Sequence, residues 1–180
     1  MSADELFEKL LEELRGQRRP PVEQWHPEQS GRIDIRIDRQ GQWFHEGDLI
    51  RRAGLVRVFA SILRRDPDGY VLVTPAERLM IEVEDVPFLA VDCEVRHGAS
   101  PTQTELLFTT NVSDLVLADS EHPVWLERGA QDLPYVRVRP GLDARITRSV
   151  YYRLLDQAVI KEGVAYLLSS GSEFPLGPVE

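Results

Sequence analysis

Apolar and polar residues alternate strictly over residues 32–38, with three isoleucines on one face of the segment. A period of two is that of a half-buried β-strand. The next residues, Arg39-Gln40-Gly41, predict a tight turn in which the glycine takes a positive φ, and residues 42–46 predict the return strand. The first regular element of this part of the chain is therefore predicted to be a β-hairpin.

Three segments show helical periodicity instead. Residues 2–15 carry one apolar stripe between a capping box and a glycine, which indicates a helix that packs as an arm or binds a partner. A second helix is predicted at about 49–64 with Asp48 as its N-cap, and a third at about 143–159 with Asp143 as its N-cap.

The rest of the pattern predicts strands separated by Pro, Gly, Asn and Ser. These strands are predicted at 70–74, 79–84, 88–96, 104–110, 114–119, 123–128, 134–139 and 164–169. The order strand, strand, helix, strand then occurs twice along the chain. At an offset of 94 residues, Arg51 falls on Arg145, Val56 on Val150, and Gly69 on Gly163. The repeated order of elements supports a duplication better than these three identities do.

This order predicts an α+β fold in two small domains that share a strand–strand–helix–strand repeat. An N-terminal helix and linker would span residues 1–24 and a first α+β domain residues 25–75. A second, β-rich domain with a long helix would span residues 76–180.

Composition narrows the class of protein. Acidic residues outnumber basic ones 30 to 21 in the 180 residues, for a net charge of −9, which argues against binding to nucleic acid polymers or anionic membranes. No apolar run is long enough for a spanning helix, and the acidic N-terminus does not resemble a signal peptide. With a single cysteine the chain has no internal disulfide, and we expect a cytoplasmic protein.

The charges are segregated. Segments 32–65 and 133–153 each have a net charge of +4, whereas the intervening segment 66–132 has a net charge of −11, and nineteen of the basic residues are arginines. Two interpretations are open. The arginines pair with acids within one fold, or the two basic segments converge on an anionic ligand.

Familiar catalytic signatures are absent from the sequence. It has no phosphate-binding P-loop, no dinucleotide-binding glycine pattern and no G-x-S-x-G nucleophile elbow. The four histidines are dispersed without the spacing of a zinc site, and Cys93 lies in an alternating strand, where a small buried hydrophobe is expected. We therefore predict no metal, no cofactor and no catalytic residue.

Two segments carry more polar residues than packing needs. In the first, Trp43, His45 and Arg51 lie at a predicted strand-to-helix junction. In the second, Arg145, Arg148 and Tyr152 would share one face of the predicted helix. Guanidinium groups bind phosphate or carboxylate and aromatic rings stack on bases, so these six residues are the candidate ligand-binding residues. The alternative is that the arginines are paired and Trp43 is part of the core.

Several segments also resemble a known bacterial family, the domain-of-unknown-function family 1285. The segments are Ile33-Asp34-Ile35, Gly41-Gln42-Trp43-Phe44-His45-Glu46-Gly47, Phe59-Ala60-Ser61-Ile62-Leu63, Gly69-Tyr70, Val73-Thr74-Pro75 and Pro134-Tyr135-Val136-Arg137-Val138-Arg139-Pro140-Gly141-Leu142. The resemblance covers roughly residues 20–175. It implies two α+β domains with a repeated motif, the second superficially like a pleckstrin-homology roll, and a groove between them for a nucleotide-like ligand in signalling.

Three functional hypotheses follow. The first is a non-enzymatic protein that binds a small anionic, nucleotide-like ligand between its two domains through the six candidate residues. The second is an interaction adaptor that docks a protein partner or a second copy through helix 2–15 or a sheet edge. The third is an enzyme with an unfamiliar site around His45 and Glu46.

Overall fold

A computed structural model describes residues 19–100, 103–129 and 131–179, which fall into two compact units. Unit 1 extends to Asp85 and unit 2 begins at Val86. The N-terminal helix predicted at residues 2–15 lies outside the described residues.

Unit 1 is one six-stranded sheet with a single α-helix among its described residues. A 3₁₀ turn at Val22–Gln24 is followed by β1 (Gln29–Ile37), β2 (Trp43–His45), β3 (Asp48–Leu49), α1 (Ala53–Ser61), β4 (Leu63–Asp66), β5 (Gly69–Val73) and β6 (Glu77–Val83). The strand order is β3-β2-β1-β6-β5-β4, and every pairing is antiparallel except the parallel pair β1–β6. That parallel ladder joins the two antiparallel halves into one sheet.

Unit 2 has two sheets and one α-helix among its described residues. Its elements are β7 (Phe88–Arg96), β8 (Glu105–Thr110), β9 (Leu115–Leu117), β10 (Val124–Glu127), β11 (Leu133–Arg139), β12 (Leu142–Ile146), α2 (Arg148–Leu155), β13 (Val159–Lys161), β14 (Val164–Ser169) and β15 (Ser172–Pro178). One sheet has the order β10-β11-β12-β7-β8-β9 and the other the order β13-β14-β15. The prediction of an α+β fold in two units is confirmed.

The predicted strands agree closely with the observed ones, and in β1 and β8 alternate residues are buried as the sequence pattern indicates. Residues 32–38 lie in β1 or directly after it, β2 returns along it, and Gly41 in the connecting turn has a φ of 74°. One prediction fails at the C-terminus, where the predicted Gly/Pro-rich tail forms β15 and pairs with β14.

Both long helices were predicted too long. The helix predicted at 49–64 is Ala53–Ser61, because Glu46 and Gly47 form a left-handed turn with φ of 50° and 83° that returns the chain as β3. Asp48 is therefore a strand residue and not the N-cap. Residues 63–66 leave the helix and pair with β5.

The helix predicted at 143–159 is Arg148–Leu155, preceded by strand β12. Leu142, Ala144 and Ile146 are buried on one face of β12, while Asp143 and Arg145 alternate with them. A period of two was therefore present in the segment, and Asp143 is not an N-cap. Its carboxylate forms an ion pair with Arg137 on the paired strand β11.

The domain boundary also moves. A boundary at residue 75 would assign β6 to the second domain, but β6 pairs with β1 on one side and β5 on the other. Removing β6 would break the sheet of unit 1 in its middle. The boundary therefore lies between Asp85 and Val86.

The order β-β-β-α-β-β-β occurs in both units, as β1–β6 with α1 and as β10–β15 with α2. From the helices onward, equivalent residues are 95 positions apart, because Leu55 and Phe59 are buried in α1 as Val150 and Leu154 are in α2. The predicted match of Val56 with Val150 is therefore one residue out of register, whereas the repeated order of elements is present.

Candidate functional site

The first predicted candidate, Trp43, belongs to the core of unit 1. Its side chain is 1% exposed and its ring stacks on Phe59, with centroids 6.2 Å apart and planes 18° from parallel. A ligand cannot reach either face of the indole in this arrangement. Trp43 is therefore a core residue and not part of the candidate site. The structure supports the alternative interpretation of the sequence for this residue.

The other two candidates of unit 1 lie near the surface. His45 is the last residue of β2, half-buried, and opposite Ile35 on one neighbouring strand and Asp48 on the other. Arg51 is exposed and precedes α1 by two residues. His45 lies in β2 and Arg51 lies between β3 and α1, so the two residues belong to different elements of unit 1.

The three candidates of unit 2 line one cavity of about 510 Å³. Arg145 lies in β12, Arg148 is the first residue of α2, and Tyr152 follows one turn later. They were predicted to share one helix face, which is wrong for Arg145. The junction between β12 and α2 brings the three side chains to the same cavity.

The start of α2 supplies further polar groups to the cavity. Thr147 is the N-cap, and its carbonyl accepts the first hydrogen bond of the helix from the N–H of Tyr151 (2.9 Å). The Thr147 hydroxyl does not cap the helix and lies 3.4 Å from the hydroxyl of Ser149. The positive end of the helix dipole therefore coincides with Arg148, and both favour an anion.

A loop from another part of unit 2 forms the opposite wall. Arg148 donates through Nη2 to Oε1 of Gln131, a neutral acceptor, at 3.1 Å. Asp132 follows and also lines the cavity, but its carboxylate accepts from Nη1 of Arg128 at 2.8 Å. Because Asp132 is paired with an arginine, the charges in and beside the cavity sum to a positive value.

Two tyrosines give the cavity an aromatic wall. The ring centroids of Tyr151 and Tyr152 are 6.5 Å apart, and the Tyr152 side chain is 61% exposed. Burial and the nearby carboxylate of Asp132 raise the pKa of the Tyr151 phenol, although Arg128 acts in the opposite direction. Tyr151 therefore stays protonated at neutral pH and can donate a hydrogen bond.

Other arginines of the second basic segment stabilise the fold. Arg137 pairs with Asp143 and its guanidinium lies 5.7 Å from the centroid of the Trp125 ring. Arg139 is 9% exposed and lies over the ring of Phe88. For these side chains the interpretation that arginines pair within the fold holds.

Gln131, Asp132 and Thr147 line the cavity and were missed by the sequence analysis. Gln131 and Asp132 lie in the turn before β11, and the ladder β11–β12 is what carries this turn to the start of α2. No local signal in the sequence indicates such a non-local contact. Thr147 could have been found as an N-cap residue if the helix had been predicted to begin at Arg148.

The remaining reactive residues are inert or scattered. Cys93 is 7% exposed, as predicted for a buried hydrophobe, and burial raises its pKa to about 12. Within residues 19–100, 103–129 and 131–179, no group of three His, Cys, Asp or Glu side chains is placed to hold a metal ion. In the same residues no helix is long and apolar enough to cross a membrane.

The comparisons with known proteins agree with each other. Residues 20–86 match the family model described as the N-terminal domain of DUF1285, a domain of unknown function, and residues 87–176 match the C-terminal domain of the same family. These matches divide the chain within two residues of the boundary between the two compact units. Among curated proteins, no match to the chain is found.

Two crystal structures are similar to this chain. A DUF1285 family protein from Silicibacter pomeroyi DSS-3 is 43% identical, with 94% of this chain and 95% of that one covered and a TM-score of 0.85. A DUF1285 family protein from Shewanella baltica OS155 is 29% identical, with 68% of this chain and 91% of that one covered and a TM-score of 0.54. The chain belongs to the DUF1285 family.

Proposed function

We propose that the protein binds a small anionic, nucleotide-like ligand without catalysing a reaction, and that the cavity at Arg145 and Arg148 is its site. The observation that carries this proposal is the convergence of two guanidinium groups, two phenol rings and the start of α2 on one cavity of about 510 Å³. Pockets that hold small molecules combine apolar or aromatic walls with a few fixed polar groups.

Each part of the cavity has a role in this proposal. Arg148 and Arg145 hold a phosphate through charge-assisted hydrogen bonds, and the N–H groups of the first turn of α2 add to them. Tyr152 offers an exposed ring on which a base stacks, and Tyr151 donates from its phenol. A role in signalling and a pleckstrin-homology-like roll in unit 2 are part of the same proposal, since the family resemblance implies them. A cytoplasmic location, which the single cysteine indicates, is also part of it.

The test is a set of binding measurements with inorganic phosphate, pyrophosphate, AMP and ATP, by thermal shift and calorimetry. Arg148→Ala should lower the affinity for the anion that binds by roughly tenfold or more, because hydrogen bonds to charged groups contribute about 1.5–3 kcal/mol each. Tyr152→Ala should weaken the binding of AMP and leave the binding of pyrophosphate unchanged.

The matched control is Arg96→Ala, which removes an arginine of β7 that pairs with Glu94 at 2.8 Å and does not line the cavity. This variant should bind like the wild type. The proposal is wrong if none of the four anions binds, or if Arg96→Ala weakens binding as much as Arg148→Ala.

The second candidate function is an interaction adaptor, and the sheet β13-β14-β15 favours it. β13 is an outer strand of this sheet, and its Ile160 is 65% exposed. An open strand edge can pair with an extended segment of a partner. Native mass spectrometry of the full chain and of a chain lacking residues 1–16 tests the two predicted docking elements, because loss of an assembly on deletion would assign it to the N-terminal segment.

A further inference from the structure

A second cavity of unit 2 adjoins the proposed anion site. Its volume is about 380 Å³, and it shares the side chains of Asp132 and Tyr151 with the first cavity. Its other lining residues come from the end of α2 and from strands β10, β13, β14 and β15, and most are apolar: Leu126, Leu155, Ala158, Ile160, Ala165, Leu176, Pro178 and Val179. We call it the apolar groove.

Large apolar side chains in this groove are left in water. Ile160 is 65% exposed, Val179 is 45% exposed and Leu155 is 38% exposed. A single exposed apolar residue is ordinary, but a contiguous set along a groove indicates a surface that binds something.

The groove exists because two neighbouring strands do not pair. β10 and β15 lie side by side but, within the described residues, no ladder joins them. Instead Arg128, directly after β10, donates through Nη2 to the carbonyl oxygen of Leu176 in β15 at 2.9 Å. At Gly177, where φ is +125°, a Cβ would lie 1.5 Å from that Nη2, so only glycine leaves room for this guanidinium.

The charged groups of the groove, Arg128 and Asp132, are paired with each other. Arg128 bonds to Asp132 as well as to Leu176, and the raised pKa of Tyr151 keeps this phenol neutral. Besides the neutral phenol of Tyr151, the groove offers a ligand apolar contact. The adjoining cavity is lined by the guanidinium groups of Arg145 and Arg148, which give its lining a net positive charge.

We infer that the ligand is an anionic amphiphile, whose charged head binds at Arg145 and Arg148 and whose hydrocarbon chain lies in the apolar groove. This inference rests on the proposed anion site and adds the class of ligand. The two cavities adjoin at Asp132 and Tyr151, which line both of them, and their difference in charge sets the direction of the chain.

Calorimetry with butyl, hexyl and octyl phosphate, each below its micellar concentration, tests the inference, with inorganic phosphate as the head group alone. Affinity should rise about two- to fourfold for each added CH₂, because a buried methylene contributes up to about the free energy of a fourfold change.

Variants separate the head from the chain. In Ile160→Asn and Leu155→Asn, affinity should rise less with each added CH₂ than in the wild type. The affinity for inorganic phosphate should stay unchanged in both variants. Leu115→Asn is the matched control, since Leu115 is also 65% exposed but lies in β9 outside the groove, and its increase should stay that of the wild type. Arg148→Ala should lower the affinity for inorganic phosphate and for each alkyl phosphate by a similar factor.

The outcomes distinguish the two proposals. If inorganic phosphate or a nucleotide binds but affinity is flat with chain length, the amphiphile inference is wrong and the anion site stands. If the increase persists in Ile160→Asn and Leu155→Asn, the chain binds elsewhere and the inference is also wrong. If no phosphate binds at all, both proposals fail.

Discussion

Unit 1 and the second half of unit 2 have the same order of elements but close their sheets differently. In unit 1 the parallel ladder between β1 and β6 makes one continuous sheet. In unit 2 the equivalent strands β10 and β15 are not laddered, and β12 pairs with β7, which brings β8 and β9 into the sheet. The same order of elements therefore forms one continuous sheet in unit 1, whereas in unit 2 it is divided between two sheets and lines a groove.

The side chains of the hairpin that follows the helix also differ between the two units. In unit 1 the cross-strand pair Arg65 and Tyr70 covers the hairpin β4–β5, with the guanidinium 4.4 Å from the ring centroid. The equivalent pair of the hairpin β13–β14 is Ile160 and Ala165, which lines the apolar groove. At this hairpin, unit 2 therefore carries apolar side chains at the positions where unit 1 carries an arginine and a tyrosine.

An ion pair between the first and third strands after the helix occurs in both units, with its charges reversed. Asp66 of β4 pairs with Arg78 of β6 at 2.6 Å, and the equivalent residues of unit 2, Lys161 of β13 and Glu173 of β15, also pair. The scaffold thus keeps an attraction between these strands, whichever strand carries the positive charge.

The largest effect should come from truncating the equivalent buried residues of the two helices. Phe59→Ala should lower the free energy of unfolding by about 4 kcal/mol and Leu154→Ala by about 3 kcal/mol, because these side chains are 0% and 1% exposed and leave cavities. Urea denaturation followed by circular dichroism measures both losses. Arg57→Ala, exposed on α1, is the control and should change stability by less than about 0.5 kcal/mol.

A loss below about 1 kcal/mol for Leu154→Ala would contradict the equivalence of the two helices. In that case α2 would not be packed on its sheet as α1 is.

The reversed ion pairs should differ in strength, because Asp66 is 15% exposed whereas Glu173 is 49% exposed. Asp66→Asn should lower the free energy of unfolding at pH 7 by about 3 kcal/mol, since it leaves Arg64 without its carboxylate and Arg78 with Asp68 alone. Glu173→Gln should cost less than about 1 kcal/mol. Urea titrations at several pH values measure both.

The pH dependence has a defined sign. Hydrogen bonds from Arg64 and Arg78 hold the pKa of Asp66 below its usual value of 3.8. A carboxylate with a lowered pKa in the folded state stabilises fully above its unfolded pKa and loses this contribution as the pH falls through the folded pKa. The difference between wild type and Asp66→Asn should therefore shrink below about pH 4, and a constant difference down to pH 2 would contradict the ion pair.

Effects smaller than that of Asp66→Asn should come from two glycines, one in each unit. Gly177→Ala should cost about 1–2 kcal/mol, because φ is +125° and the new Cβ displaces the guanidinium of Arg128. Gly54→Ala in α1 should instead stabilise by about 0.5–1 kcal/mol, since a Cβ there meets nothing within 4 Å. Thermal unfolding measures both shifts, and equal signs would show that the bend at Gly177 is not required.

Most of the strands could be predicted from the sequence, because each is marked by its own residues. The alternation around Ile35 and Ile37 reports burial on one face of β1 without knowledge of the partner strand. The helices were predicted too long for a related reason. Asp48 and Asp143 look like N-caps locally, and only the pairing of β2 with β3 and β11 with β12 makes both of them strand residues.

The candidate site could be predicted only in part. The density of arginine and tyrosine indicated Arg145, Arg148 and Tyr152, which do line one cavity, although Arg145 lies in β12 and not on the predicted helix face. Trp43 could not be separated from a ligand-binding aromatic, because burial of an indole depends on Phe59 sixteen residues later.

The single cysteine of the chain has a practical consequence for site-directed labelling. With its pKa raised to about 12 and its side chain 7% exposed, Cys93 remains a protonated thiol at neutral pH and reacts slowly with maleimides. A second cysteine introduced at the exposed position of Tyr152 or Val179 would therefore take up a fluorophore selectively. The natural sequence can serve directly as the background for optical measurements of ligand exchange at either end of the adjoining cavities.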